Sequence, residues 1–588
     1  MKHQTKALLI ILSILIYGSC QVKVEKTGFD EPENPNPVSD TIWENVEEGF
    51  HAAFGSIDKR YKHHLPPSHE PAETWNGSAW KGERINVQLM LWSANPVENI
   101  EVKPLKLSGS NGGTISEDNI RIHPVRYVLT DVFLKGCGRR DKDTIPASLA
   151  ADMLENNQSF NLKAKTLRPV WITVDIPPET DPGNYEGVIH VSCKGGDDKE
   201  LPLNLDVLDI TLPAPNQWKF HLDLWQNPFA VARWHEVELW SDKHMELLKP
   251  YLEMLANAGQ KCITTSILHR PWGGQTHDPF QSMIKWNHMG DGEWEYNYSV
   301  FDRWVELAMD AGITDQISCY SMVPWGNQVR YYDEDSSKYI TVEVKPGSEE
   351  YRDIWKPFLV HFREHLKKKG WLEKTAIAMD ERGLEEMKSM VALMNEVAPE
   401  FRIALAGRYH KELTDDIYDL CVFHRPQLDK QIIQERKEKG QITTFYTMCA
   451  PPEHPNNFTF SPPAEQAWLG WYAAARGFSG YLRWAYNSWV EDPMKDSRFR
   501  TWPAGDTYQV YPGPRSSIRF EMLRDGIEDY EKIRIIRSKL ESGKGTKDLS
   551  KLEETLSHFT IKNVTKPNAA YWLNKGKKEL ENLSHQIK

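Results

Sequence analysis

Residues 375–407 read TAIAMDERGLEEMKSMVALMNEVAPEFRIALAG, and this stretch decides the fold. TAIAM is a short apolar run, a longer helical stretch follows it, and RIALAG (402–407) is a second run of the first kind. A run apolar on both faces fits a strand covered on both sides, and strand–helix–strand alternation builds parallel βαβ units. The same rhythm extends in both directions. FHLDLW (220–225), CITTSIL (262–268) and QISCYSM (316–322) precede TAIAMDER (375–382) and RIALAG. LCVFH (420–424), ITTFYTM (442–448) and GYLRWAY (480–486) follow, with helical patterns such as FDRWVELAMDAG between the runs. Eight such units predict a (β/α)8, TIM-type barrel over 216–541, although the fifth and sixth runs lie close together with a short helix between them. A helix from about Ser516 to Glu541 closes it, and 542–588 is a charged helical tail.

Upstream the pattern is all β. RINVQLMLW (84–92), RPVWITVDI (168–176) and YEGVIHVSC (185–193) alternate and are parted by turns such as DPGN (181–184), which predicts a β-sandwich over 40–215. LPAPN (212–216) is the hinge into the barrel. The fold class is therefore multidomain, β plus α/β.

The N-terminal residues carry export signals. Lys2 and Lys6 precede an apolar run of eleven residues, 7–17, too short for a bilayer span of about 20 residues and suited to a signal core. Gly18-Ser19-Cys20 reads as a lipoprotein-type signal (1–20) with Cys20 as the lipidated residue, and Tyr17 departs from the usual Leu. A plain cleaved signal is the alternative. Residues 21–39, with DEPENPNP at 30–37, read as a flexible tether. The expected setting is an exported bacterial lipoprotein of the periplasm or cell envelope, with membrane contact only through its lipid. Export permits disulfides among Cys137, Cys193, Cys262, Cys319, Cys421 and Cys449, but no spacing requires one. The last four sit in apolar runs, where a buried thiol is the default. None has CxxC or CxH spacing, so no metal site is expected.

Composition narrows the function classes. The 588 residues carry a net charge of −12, which argues against a nucleic-acid partner. With 22 Trp, 22 Tyr and 20 Phe, the chain can fill large cores and is not a disordered protein. The Trp count suits sugar-binding platforms or an aromatic core, and the count alone does not choose.

A barrel places its site where the strands end at the C-terminal mouth. The candidates there are Asp223, Trp225 and Asn227 on the first strand, and Tyr320 and Trp325 at the third. Asp380, Glu381 and Arg382 follow on the fourth, then Arg408, His424, Tyr446, Trp484, Tyr486 and Asn487. Carboxylates ringed by Trp and Tyr suit glycoside hydrolysis, with Tyr446 expected on an acetamide and Trp484 beneath the sugar face.

Asp380-Glu381 is the sharpest feature. Two adjacent acids at the end of an apolar strand are costly unless paired or used, and ion pairs at the barrel rim are the structural alternative. Neighbouring side chains on a strand point to opposite faces, so both acids meet one ligand only where strand gives way to loop. Such a pair does not flank a sugar as a retaining pair ~5–5.5 Å apart does. It suits substrate assistance: Glu381 protonates the leaving oxygen while Asp380 orients a 2-acetamido group whose carbonyl attacks the anomeric carbon.

AMDE (378–381), TWPAGDTYQVYPG (501–513) and SSIRFEMLRDGIEDYE (516–531), on a barrel behind an exported sandwich, together resemble glycoside hydrolase family 123. The resemblance runs from about Trp218 to Glu531. It implies a retaining, exo-acting N-acetyl-β-galactosaminidase using Asp380 and Glu381, no metal or organic cofactor, and β-GalNAc-terminated glycans such as glycosphingolipid headgroups as substrate. The run from Arg524 to Glu531 reads as the start of the closing helix, with its acids, Arg519 and Arg524 in structural ion pairs. Two other readings stay open: a β-N-acetylglucosaminidase or hexosaminidase, and a glycan-binding surface lipoprotein without catalysis.

Overall fold

The computed structural model describes residues 29–587 apart from 69–71, 105, 111, 132–136, 139–140, 157–158, 426–427, 450–453 and 544–545. The expected signal segment, residues 1–20 with Cys20, lies outside the described residues. The end of the expected tether does not: Phe29 stacks on Phe160, and Glu31 accepts from Arg168 at 2.6 and 2.7 Å.

Two sheets form the N-terminal domain. One runs Phe50–Gly55, Arg84–Ser93, Thr166–Asp175, Ile120–Asp131, Ala147–Leu154 in spatial order. The other is built on Trp75–Lys81, Lys199–Thr211, Gly183–Lys194, Val97–Pro104 and Ser159–Leu162. Alternation sends Val87, Leu89 and Leu91 of the first sheet, and Leu201, Leu203 and Leu205 of the second, into one shared core.

The second domain holds eight parallel strands: β1 (His221–Leu224), β2 (Cys262–Ser266), β3 (Gln316–Tyr320), β4 (Thr375–Asp380), β5 (Arg402–Gly407), β6 (Asp419–Phe423), β7 (Ile442–Tyr446) and β8 (Gly480–Arg483). Each lies within or beside one of the eight apolar runs, in the order β1-β8-β7-β6-β5-β4-β3-β2, and the sheet curls into a nearly closed barrel. The seam lies between β1 and β2. There Gln260 and Gln226 substitute side-chain amides for part of the ladder: Gln260 Oε1 accepts from Leu224 N at 3.0 Å, and Gln226 Oε1 from Thr264 N at 2.8 Å. Helices join most strands, but β5 and β6 are linked only by a short 3-10 turn, Lys411–Leu413.

Helix Glu349–Lys369 shows how these connections form. Ser348 caps its start by accepting from Tyr351 N, worth ~1 kcal/mol, and Gly370 ends it at φ +71°. Tyr351, Ile354, Trp355, Phe358, Leu359, Phe362 and Leu366 recur at helical spacing and bury one face, about 1.5–3 kcal/mol for each fully buried aliphatic or Phe side chain. A small four-stranded sheet, Lys285–His288, Trp294–Asn297, Gln328–Asp333 and Lys338–Glu343, is inserted after β2 and β3; its short, half-polar strands carry little sequence signal.

Helix Ile518–Ser542 closes the barrel, and the stretch from Arg524 to Glu531 is structural within it. Gly470 and Gly526 let it cross helix Ala464–Arg476 in backbone contact: a Cβ on Gly470 would lie 1.9 Å from Gly526 O. Glu531 accepts from the backbone of Lys219 and Phe220 at 2.6 and 2.8 Å, fixing the approach to β1. Arg519 pairs with Asp152 of the N-terminal domain, and Arg524 with Glu528. Lys577 of the C-terminal helix Ala569–Gln586 reaches Asp525 and Asp529. Among the described residues no helix is long and apolar enough to cross a membrane.

Candidate active site

At the C-terminal mouth of the barrel a cavity of about 190 Å3 is lined by Asp380, Glu381, Trp225, Trp325, Tyr446, Trp484, Trp502 and Asp506, among others. β4 brings in the first two. Asp380 is its last residue, and Glu381 directly after it adopts φ +51°. A left-handed non-glycine residue is strained, and here it breaks the strand alternation so that neighbouring carboxylates face one cavity. Glu381 N donates to Ala406 O at 2.7 Å, which draws the turn onto β5. Gly407 leaves room for it, since a Cβ there would sit 3.3 Å from Glu381 Cα.

The two acids have different settings. Burial, then the charge of Glu381, pushes the Asp380 carboxyl up to about 8. Its backbone oxygen is pinned by Trp325 Nε1 at 3.2 Å and by Arg382 Nε at 2.9 Å. Glu381 is exposed to the cavity and accepts from the Tyr446 hydroxyl at 3.0 Å. Burial and the adjacent acids push that phenol well above its ordinary value, so it remains a donor.

Across the cavity Trp484 Nε1 donates to Asp506 at 3.1 Å, and the Trp484 and Trp502 rings meet edge to face. Asp506 is held by the buried Arg483, whose guanidinium also donates to Thr447 and Asn456. Trp502 and Asp506 carry no role in the sequence reading, although both lie in TWPAGD (501–506); that run has no strand or helix period to mark it.

The other expected residues sit elsewhere. Asp223 points into the barrel one layer below Trp225 and is fully buried; burial and the charge of Asp419 push it up to about 7. Below it His221, Cys262 and Asp419 hold donor atoms within 4.8 Å of one another, the one such set among the described residues that could hold a metal. His221 pairs with Asp419 at 3.2 Å and approaches Cys262 at 3.3 Å. Tyr320 packs against Trp225 and Trp272 beneath the floor. Asn227 caps helix Pro228–Trp234 and exchanges hydrogen bonds with Asn487 at 2.8 and 3.1 Å. Tyr486 turns away and donates to Tyr251 O. Arg408 is exposed, and His424 is buried beside Tyr446 O, outside the lining of this cavity.

One cysteine expectation is corrected. Cys449 is not a buried free thiol; it forms a disulfide with Cys137 of the N-terminal domain, and both residues line the cavity. Residues far apart in sequence and on different domains give no spacing signal.

Comparison with known families matches residues 225–536 to the glycoside hydrolase 123 catalytic domain and residues 54–193 to the glycoside hydrolase 123 N-terminal domain. Among solved structures, a family 123 glycoside hydrolase from Clostridium perfringens, described in terms of glycolipid glycan hydrolysis, is 28% identical with a TM-score of 0.82. The match covers 92% of this chain and 98% of that one. A GH5 xyloglucanase from Bacteroides ovatus, 9% identical over 77% of this chain and 98% of that one, reaches a TM-score of only 0.27 and carries no argument. No curated protein matches the chain.

Proposed function

The chain belongs to glycoside hydrolase family 123 and is a glycosidase, and from that premise we propose that it is a retaining exo-glycosidase that releases terminal β-linked GalNAc by participation of the sugar's 2-acetamido group. The observation that carries this reading is the left-handed turn at Glu381, which aims two neighbouring carboxylates into one small cavity. Acids so joined do not straddle a sugar ring; they serve two sites on one face of it.

The barrel is taken as TIM-type, with its chemistry at the strand C-termini. In the first step the acetamide oxygen forms a bond to C1 as the C1–O bond breaks. Glu381 delivers its proton to the departing oxygen, and Asp380 accepts the amide N–H and balances the positive charge of the bicyclic oxazolinium ion. A donated N–H favours the charged form of Asp380 that this role requires. In the second step Glu381 takes a proton from water, whose oxygen attacks C1 and reopens the ring with retention. Tyr446 steadies Glu381 and lies within reach of the acetamide oxygen. Trp484 and Trp502 form the walls for the sugar face. An acceptor such as Asp506, fixed by Arg483, suits a ring hydroxyl.

The similarity to a clostridial enzyme of glycolipid glycans supports glycosphingolipid headgroups as substrates. A lipid on Cys20 would bring the enzyme to an envelope surface, and the Cys137–Cys449 bridge suits an oxidising compartment. Aryl β-glycosides of GalNAc, GlcNAc and galactose test the reading together. Release from GalNAc is expected, with galactose left intact; preference for GlcNAc would make the enzyme a glucosaminidase, and release from none would overturn the β-GalNAc reading.

Two further results are expected. A thiazoline analogue of GalNAc, which mimics the cyclised intermediate, inhibits at least ~100-fold more tightly than GalNAc itself binds; equal affinity counts against participation. Gly407→Ala pushes on the Glu381 backbone by a few tenths of an ångström and lowers kcat by about tenfold, with circular dichroism unchanged. Full activity in that variant would show that the turn tolerates displacement.

A further inference from the structure

Strand Ile120–Asp131 belongs to the N-terminal domain, yet its end is built into the loops that form the cavity. Leu129 N donates to Lys495 O at 2.8 Å, and Ser497 N to Leu129 O at 2.9 Å, so residues of the barrel domain pair with this strand. The Thr130 and Thr459 hydroxyls meet at 2.7 Å. Asp131 accepts from Ala504 N at 3.1 Å. Thr130, Asp131, Thr459, Ser497 and Ala504 are all buried, so this is a dry, hydrogen-bonded seam rather than a loose domain contact.

What the seam holds is functional. Ala504 stands between Trp502 and Asp506, and the Trp502 indole is further fixed by donating to Gln275 O at 2.9 Å. Beyond Asp131 the domain supplies Cys137, bonded to Cys449, which lies three residues after the Tyr446 that touches Glu381. Cys137 is exposed while its partner Cys449 and the floor residue Trp225 are buried, so the bridge runs from the cavity wall out to its open end. An exo-acting enzyme seats the terminal sugar at the closed end, and the rest of the glycan leaves through the open end.

We propose that the N-terminal domain completes the substrate site: Asp131 acts as a positioning residue for the Trp502–Asp506 wall, and the Cys137–Cys449 bridge forms the rim against which the glycan beyond the terminal sugar is read. This rests on the exo-glycosidase reading above. The domain is then a determinant of glycan choice, and a clipped or reduced rim costs affinity for long substrates while sparing the chemistry.

The test uses the full chain in two forms, the Cys137→Ser/Cys449→Ser variant and wild-type protein reduced while folded. Because the other described cysteines are free, reduction of the wild type is verified by two additional thiols. KM for a GalNAc-terminated oligosaccharide is expected to rise about tenfold, with kcat within about twofold, while KM for the aryl GalNAc glycoside moves less than about threefold. Hydrogen exchange of 447–449, read without substrate, is expected to quicken, while that of 495–506, which Asp131 holds independently of the bridge, stays unchanged. Unchanged KM and exchange after two thiols appear overturn the proposal, as does equal loss on both substrates. If wild-type enzyme releases GalNAc from neither, the proposed function fails instead, and exchange alone decides whether the bridge holds the rim.

Discussion

Replacing Glu381 by Gln lowers kcat/KM by about 10³–10⁴-fold for a β-GalNAc glycoside with an alkyl leaving group, the size of a lost general acid. For 4-nitrophenyl β-GalNAc the loss in kcat/KM shrinks to about tenfold, because nitrophenolate leaves without help, while kcat falls about 10²-fold, because the base role in the second step is missed. This dependence on the leaving group separates loss of an acid from collapse of the fold, which would cost the same on every substrate. The variant keeps its Tyr446 partner, since the amide oxygen still accepts the phenol proton. Full activity on the alkyl glycoside would remove Glu381 from the mechanism.

Asp380→Asn is expected to be severe in rate and yet to raise stability. Asn cannot balance the charge of an oxazolinium ion, so kcat falls about 10²–10³-fold even with a good leaving group. Because the charged form of Asp380 accepts the amide N–H, the wild-type kcat/KM should rise with pH towards about 8, where this carboxyl gives up its proton, and this limb should vanish in the variant. Stability responds to the same shift. An ordinary Asp titrates near ~3.9, so folded Asp380 holds its proton more tightly than the unfolded chain does. Its contribution to stability is therefore complete below about pH 4 and is lost as pH rises towards about 8. At pH 7 the variant escapes a cost of order 1–3 kcal/mol, reduced by the carboxyl's contact with the cavity, and the midpoint of barrel melting rises by about 3 °C. A variant that melts lower would contradict the burial assigned to this carboxyl.

The barrel is legible in the sequence because its strands are covered on both faces. TAIAM and RIALAG are apolar after their first residues, Thr375 and Arg402, and no amphipathic ambiguity competes with the strand reading. Strand ends then locate the mouth, and Trp225, Trp325, Asp380, Glu381, Tyr446 and Trp484 do line it. Strand-end position does not fix which way a side chain points. Leu482 and Trp484 alternate into the cavity, but the chain leaves the strand before Tyr486, which turns outward. Asp223 has the inward parity of Trp225 and is placed one residue pair too deep. Asn227 and Asn487 satisfy backbone ends instead, as short amides do at a helix start. Trp171, Trp304 and Trp355 are ordinary core, as their places within elements suggest. The disulfide and the Trp502–Asp506 wall depend on contacts between distant segments, for which one sequence carries no periodic signal.

Acetamide participation is the central claim, and a series of aryl β-glycosides carrying N-acetyl, N-fluoroacetyl, N-difluoroacetyl and N-trifluoroacetyl groups tests it most directly. Each fluorine weakens the carbonyl oxygen as a nucleophile while leaving the glycosidic bond and leaving group unchanged. A stepwise fall in kcat/KM, reaching at least ~100-fold at trifluoroacetyl, is the result this account predicts, since each ~1.4 kcal/mol added to the barrel's C1–O bond-forming step is a tenfold loss. A rate that does not change along the series would contradict it and assign the first attack to a group on the protein.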